Sequence, residues 1–595
     1  MICFIKRITL TVGFALYTIT GAIDDRMSTG WSQHYLILGL GLFGSALIAS
    51  IPILVLLALL GIFRRPSWQA SLIGLAATCV LATGGYGMSL RHLVSSAAYG
   101  AAFGLFPIMW IVFWALVLYR ITIESGKFEV IKQSIGTITA DMRLQVLLVA
   151  FAFGAFLEGG AGFGTPVAVA AAMMTGLGFA PLYAAAICLL ANTAPVAFGA
   201  IGIPVITLAG ITGLPVDRLS AAVGKICAPI SFFIPAYLIA VLCGGTALID
   251  IWPALLVCGG FFAGMQFLIS NYVGAPLTDI LSSLTSILAL IVLLRIWKPS
   301  KIVTVGEMGK TSHWDSEGTA PVSQRESAAA AAGTQRVQTL ELVKHTVPEI
   351  VSAWSPYILL VISVLAWGYK PIQQILGTVT VAFPWPGLHN EILRVPPVVT
   401  HAAPYAAIYN FNWLAAAGSS CMFTSIVSAI FLRIGIGTFL RVLGFVGKQL
   451  FLPTVTVTSV LAIAFAMNYS GATATLGLAF AATGALFPFF SALLGWLGVF
   501  LTGSDTAANA LFGSLQVVTA GKLGLSPSLI AGSNSAGGVM GKMISIQTIA
   551  IAAAATGLSV AGQAKLFRFT LRHSLILASV VGLEVLLYAY VLHVG

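Results

Sequence analysis

The sequence predicts an all-α polytopic membrane protein of about 12–14 transmembrane helices, built as two repeated halves with broken or re-entrant segments. Three observations predict it. Hydrophobic residues make up 58% of the 595 and charged residues only 8%, where soluble domains carry roughly 25% charged residues. Apolar runs follow one another along nearly the whole chain. Gly, Pro and polar residues interrupt comparable runs in both halves.

Composition already excludes several function classes. A water-soluble fold cannot hide this much apolar surface, so a bilayer must cover it. The net charge of +11 would suggest nucleic acid in a soluble protein. Here the positive charges sit in short clusters between apolar runs, the pattern that sets membrane topology, so no nucleic-acid partner is expected. Cys3, Cys79, Cys188, Cys227, Cys243, Cys258 and Cys421 lie in or beside apolar stretches, with no CxxC. They read as small buried hydrophobes, not disulfides or zinc ligands. HExxH, GxSxG and GxxxxGK[ST] are missing and the His are scattered. No enzyme, ATP-driven pump, metal or cofactor is therefore expected.

The elements follow in order. Residues 1–28 form an N-terminal extension: Lys6 and Arg7, an apolar run 8–23, then Asp24 and Asp25. It reads either as an uncleaved signal-like helix or as sequence upstream of a start at Met27. Residues 29–298 form the first transmembrane half, with apolar runs near 36–63, 69–88, 97–119, 144–157, 166–176, 182–211, 226–243, 251–269 and 280–296. Residues 299–350 are polar and basic and read as a flexible cytoplasmic loop. Residues 351–595 form the second half, with runs near 356–368, 413–432, 451–467, 472–501, 507–518, 543–561 and 574–592. A crossing helix needs about 20 apolar residues, so the shorter runs are expected to be broken or re-entrant. The segment 376–412, with Pro384, Pro386, Pro396, Pro397 and Pro404 among aromatics, reads as an ordered outer loop.

Basic residues set the orientation. Arg64–Arg65, the group Arg120 to Arg143, the long loop with Arg295, Lys298 and Lys301, the group Arg433 to Lys448, and Lys565, Arg568 and Arg572 are placed on the cytoplasmic side. The C-terminus then lies on the opposite face.

Three landmarks recur in the same order. Glu158-Gly-Gly-Ala-Gly-Phe-Gly164, Asn192-Thr-Ala-Pro-Val-Ala-Phe-Gly199 and Val223-Gly-Lys225 in the first half pair with Asn468-Tyr-Ser-Gly-Ala-Thr-Ala474, Asp505-Thr-Ala-Ala-Asn-Ala-Leu-Phe-Gly513 and Met540-Gly-Lys542 in the second. Duplicated halves are the usual construction of secondary transporters, with substrate bound near the midplane where helices break. The charge clusters bring the chain into both first landmarks from the cytoplasm, which favours parallel halves. One miscounted re-entrant segment reverses that.

The chemistry is expected at these breaks. A carboxyl group at membrane depth costs roughly 2.5–3.5 kcal/mol, and low dielectric favours its neutral form, so Glu158 is a candidate proton carrier. The plainer reading is a structural acid paired with a buried donor. Asp505 follows Gly503 with Ser504 and Thr506 beside it, residue types that also suit a helix cap; it is either the second proton-coupling acid or the cap. Gly160 and Gly162, and the stretch Gly532-Ser-Asn-Ser-Ala-Gly-Gly538, read as breaks that let backbone approach an anion at a helix start. A helix-packing role is the alternative. Asn192, Thr193, Ser504, Thr506, Asn509, Ser533, Asn534, Ser535 and Lys542 complete the candidate substrate-binding set. Lys542 and Lys225 each either neutralise a carboxylate or snorkel to water. Glu584 is an alternative proton site.

At these residues the chain resembles the bacterial lactate permease family, across roughly residues 40–593. The matching stretches are Gly154-Ala-Phe-Leu-Glu-Gly-Gly-Ala-Gly-Phe-Gly164, Asn192-Thr-Ala-Pro-Val-Ala-Phe-Gly-Ala-Ile-Gly-Ile-Pro204, Gly495-Trp-Leu-Gly-Val-Phe-Leu-Thr-Gly-Ser-Asp-Thr506 and Gly541-Lys-Met-Ile-Ser545. Residues 1–26 and the long polar loop depart from the family pattern. The resemblance implies a proton symporter for L-lactate, D-lactate and glycolate, multi-pass in the bacterial inner membrane. The expected partners are thus a small hydroxy-monocarboxylate, protons and the lipid bilayer. The alternative is Na⁺-coupled carboxylate transport, since broken helices with free carbonyls and an Asp also suit Na⁺.

Overall fold

The structure is a computed structural model, and it describes residues 31–37, 39–162, 164–303 and 345–593. The expected 1–28 extension and most of the 299–350 loop lie outside the described residues. The first half comprises α1 (Gly41–Ala49), α2 (Ile51–Gly61), α3 (Ser67–Gly85), α4 (Leu90–Glu124), α5 (Lys127–Gly136), α6 (Met142–Gly160), α7 (Thr165–Gly176), α8 (Pro181–Ala191), α9 (Val196–Thr212), α10 (Val216–Cys243), α11 (Trp252–Tyr272) and α12 (Thr278–Ile296). The second comprises α13 (Val347–Gly368), α14 (Ala417–Phe431), α15 (Ile436–Ser470), α16 (Ala472–Phe480), α17 (Phe487–Thr502), α18 (Asp505–Leu523), α19 (Pro527–Lys542), α20 (Ile546–Thr556) and α21 (Val560–Tyr590). Among the described residues 11 helices are long and apolar enough to cross a bilayer, or 13 with two bent pairs each taken as one span. That agrees with the sequence expectation. Side chains such as Phe43, Leu47, Leu288, Val292, Ile430 and Phe431 face outward and exposed, which only lipid can make favourable.

One end of the molecule collects the basic segments. Arg143, at the start of α6, donates to the backbone oxygen of Lys301 at 2.7 Å and to Asp250 at 3.1 Å. His345 meets Gln133 of α5, and the Arg120 guanidinium lies over the Phe445 ring. At the other end the 376–412 segment forms an ordered cap, as expected. Two small sheets build it. One joins β1 (Trp31–Ser32), β3 (Ile392–Arg394) and β4 (Ala403–Pro404), with β1 parallel and β4 antiparallel to β3. The other pairs β2 (Val381–Pro384) antiparallel with β5 (Ile408–Phe411). Cap and helices are tied by Trp385 Nε1 donating to the Ser95 carbonyl and by the Arg91–Glu391 pair.

The helix directions decide the repeat. From the basic end α6 runs inward and stops at Gly160. The chain turns and α7 returns, leaving Leu177 beside Gly136 at the end of α5. α8 runs in from the same end. After a 64° break α9 continues to the cap end, where the Ile211 carbonyl accepts from Asn468 and Ser514. In the second half α17 comes in from the cap end, turns at Gly503, and α18 carries Ser514 back to Ile211. α19 comes in parallel to α17, and after a break α20 continues toward the basic end, with Ile551 against Gly164. Each half is thus a helical hairpin followed by a broken helix, and the two halves run in opposite directions.

This corrects the parallel arrangement favoured by charge. It also changes the pairing of landmarks: Glu158 corresponds to Asp505, and the break after Asn192 to the break after Lys542. Asn468 lies near the cap, at the end of an unbroken 35-residue α15. The cause is physical. Two half-length helices in a hairpin present the same apolar length as one span, so a count from hydropathy misses the reversal.

The second-half elements are fused tightly. Only glycine permits the approach of α17 to α19: a Cβ on Gly495 would lie 1.8 Å from the Asn534 carbonyl oxygen, and one on Gly537 2.1 Å from that of Ala492. Gly532–Gly538 therefore lies inside a continuous helix. It is not a break, and two of its glycines, Gly537 and Gly538, serve close packing.

Candidate functional site

The two hairpin tips and the two helix breaks meet in the middle of the molecule. At the first tip, Gly162 (φ +58°) and Gly164 (φ +81°) supply the left-handed turns that reverse the chain. Pro166 starts α7. The first break is strained. Ala200, Ile201 and Gly202 have φ of 46°, 62° and 75° in succession, at about 1–3 kcal/mol for each non-glycine residue. Side chains from elsewhere occupy carbonyls along it: Gln266 donates to the Ala194 oxygen at 3.0 Å and Asn509 to that of Pro204 at 3.2 Å.

At the second tip Ser504 caps α18 by accepting from the Ala507 N–H. The cap is thus Ser504, and Asp505 is left for other work. Its Oδ2 accepts from Ser535 Oγ at 2.5 Å and from Asn509 Nδ2 at 3.4 Å. At the second break Ser545 caps α20 and meets Thr548 Oγ1 at 2.6 Å.

The two acids sit in equivalent surroundings. Glu158 packs on Gly199 of the first broken helix, where a Cβ would fall 2.6 Å from its Oε1. Asp505 packs on Gly538 of the second, where a Cβ would fall 2.5 Å from its Oδ1. Each tip therefore seats a carboxyl group against a bare stretch of helix from its own half. Lys542, the last residue of α19, reaches across and donates to Glu158 Oε1 at 2.7 Å. Both partners are buried, and Glu158 Oε2 has no hydrogen-bond partner.

Glu158 and Asp505 line one cavity of about 300 Å³, with Gly162, Gly199, Ala200, Ser504, Thr506, Gln547, Thr548 and Lys542. Lys542 is the one basic side chain among the described residues lining it.

A model of the L-lactate permease family matches residues 45–592. The chain belongs to the L-lactate permease family. It is 42% identical to the glycolate permease GlcA of Escherichia coli (strain K12) and to an L-lactate permease of Salmonella typhimurium, in each case over 94% of this chain and 98% of the relative. Among solved structures, Neisseria gonorrhoeae MtrF aligns over 90% of this chain and 97% of its own at a TM-score of 0.45 and 13% identity. This permease is a multi-pass transporter of the bacterial inner membrane and not an enzyme.

The remaining candidates fall at different distances from the permease cavity. Asn192 and Thr193 border a small separate cleft shared with Lys542 and Thr548. Gly160 lies against the Tyr357 ring, outside the cavity lining. Ser535 and Asn509 act on Asp505 from behind. Asn534 bonds Asn509 at 2.9 Å and Gln516 at 3.1 Å, and Ser533 bonds Ser491 and the Ile530 carbonyl. Asn534 and Ser533 thus continue a buried polar ladder from Asp505 through α17, α18 and α19, away from the cavity. Lys225 and Glu584 do not line it. Sequence reasoning held Gly199 and Gly538 only as members of longer stretches, not as the seats of the two acids, and it missed Thr548. It also missed Asp279, a single acid at the first turn of α12, just before an apolar run counted from residue 280.

Proposed function

We propose that this protein imports lactate, and glycolate with it, in symport with protons, and that Glu158 and Asp505 are its proton-coupling acids. The observation that carries the reading is the Lys542–Glu158 pair facing the same small cavity as Asp505. The names of the relatives, L-lactate permease and glycolate permease, supply the substrate class.

The coupling follows from charge bookkeeping. Lys542 is the cavity's cation, and in this conformation Glu158 satisfies it. A substrate carboxylate takes the place of Glu158 on the ammonium. Glu158 is then left buried without a partner, and an unpaired buried charge costs several kcal/mol, so it takes up a proton. Substrate and proton therefore bind together, and the charge of the site is the same empty and loaded. Ser504, Thr506 and Thr548 offer hydroxyls to the substrate's own hydroxyl group. Asp505, held by Ser535 and Asn509, is the equivalent acid of the other half and the second proton position. An inward proton gradient drives import.

The test is uptake of labelled lactate by the full chain in Na⁺-free proteoliposomes with an imposed pH gradient. Accumulation that a protonophore abolishes is expected. Uptake indifferent to the gradient, or requiring Na⁺, overturns the reading.

A further inference from the structure

The acids of the cavity have donors: Glu158 has Lys542, and Asp505 has Ser535 and Asn509. Asp279 has none. It is 1% exposed, and neither carboxylate oxygen has a hydrogen-bond partner. It caps no helix, since α12 lacks a side-chain cap bond. Leaving a buried polar group unsatisfied costs about 1–3 kcal/mol, and more if it is charged, so the neutral acid is the form these surroundings accept. Asp279 packs directly behind the first hairpin tip: a Cβ on Gly159 would lie 2.9 Å from its Cβ. Gly159 is the neighbour of Glu158. Beyond Asp279 the buried hydroxyls of Ser282, Ser283 and Ser286 continue along α12 toward Arg295.

We propose that Asp279 is the second carboxyl of a proton relay, taking from Glu158 the proton that enters with the substrate and passing it toward the basic end. This rests on the coupling reading above. In the loaded state Lys542 holds the substrate carboxylate, and Glu158 and Asp279 are both protonated. Asp279 gives its proton to water on the basic side. The O–H bond of Glu158 then breaks and a new one forms on Asp279. Glu158, again charged, takes Lys542 back and expels the substrate. One proton and one monoanion have crossed, and the arrangement is the one in this structure. On the elements packed against α12, the titratable and charged groups are Glu158 and, at the basic end, Arg143 on α6, and Cys258 and Tyr272 on α11; α9 carries none. Lys542 acts on Asp279 from α19, and Asp279 acts on Cys227 of α10.

The experiment compares wild type, Asp279→Asn and Asp279→Glu in proteoliposomes. It reads net lactate uptake, internal acidification and lactate–lactate exchange, together with the infrared band of protonated carboxyl groups in the purified protein. Asp279→Asn is expected to lose about 100-fold in net uptake, to keep most of its exchange, and to lack one component of the infrared band. Asp279→Glu recovers part of the net flux. Wild-type net uptake and acidification in Asp279→Asn overturn the relay. So does an equal loss of exchange and net flux in a folded protein, which is the mark of a structural role. Wild-type uptake without acidification refutes the coupling reading itself, and is told apart because it needs no variant.

Discussion

Replacing Glu158 by Gln is expected to tighten lactate binding while abolishing net transport. The side chains of Lys542 and Glu158 are 11% and 3% exposed, with 2.7 Å between the bonded atoms. Removing one member of a fully buried pair costs about 3–5 kcal/mol. This pair opens on a cavity of about 300 Å³, whose water screens it, so ~2 kcal/mol is a fairer figure. In the wild type an incoming carboxylate must displace Glu158 and forgoes that ~2 kcal/mol. In Glu158→Gln the ammonium has lost its hydrogen-bonded carboxylate, and the substrate takes that place without displacing it. The difference corresponds to roughly 30-fold in Kd. Titration calorimetry on purified protein measures it directly. Thermal unfolding adds a second reading, because the variant should be less stable without lactate and gain more from it than the wild type does. A folded Glu158→Gln protein that binds lactate no more tightly than wild type would refute the competition for Lys542, and with it the coupling scheme.

Other outcomes test other parts of the argument. Ser535→Ala removes the 2.5 Å donor to Asp505; losing the partner of a buried polar group costs about 1–3 kcal/mol, so uptake should fall roughly fivefold or more with little change in expression, measured as initial rate per protein. Gly495→Ala drives a methyl group into the Asn534 carbonyl and should cost about 1–3 kcal/mol in thermal unfolding, whereas Gly444→Ala, with open space around it, should be neutral or slightly stabilising. Arg143→Ala strands the buried Asp141 and the Lys301 carbonyl at the basic end and should cost about 3–5 kcal/mol. Arg143→Lys should recover only part of that stability, because an ammonium cannot reproduce the two parallel bonds of the guanidinium to Asp141.

Much of this was legible in the sequence, for reasons that can be named. The bilayer imposes composition and run length, so the spans near 97–119, 226–243 and 574–592 could be read directly. Glycine and proline punctuation located three of the four interruptions, at 159–164, 192–195 and 503. The fourth, after Lys542, carries neither residue and gave no such signal. Gly532–Gly538 misled in the opposite sense, because glycine serves both chain reversal and helix contact, and only the neighbour decides which. The partnership of Lys542 with Glu158 joins residues 384 positions apart, beyond the reach of any local pattern. Ser533 and Asn534 looked like ligand groups because a polar cluster in an apolar helix demands partners. The partners turned out to be Ser491, Gln516 and Asn509.

The ion pair also divides ownership of the centre. The carboxylate belongs to the half made first, the ammonium to the half made last. Until both are in place, each lacks the partner that makes it tolerable at that depth, so a half-assembled molecule is penalised at its centre. One ion pair thereby makes the centre of the fold depend on the joining of the two halves.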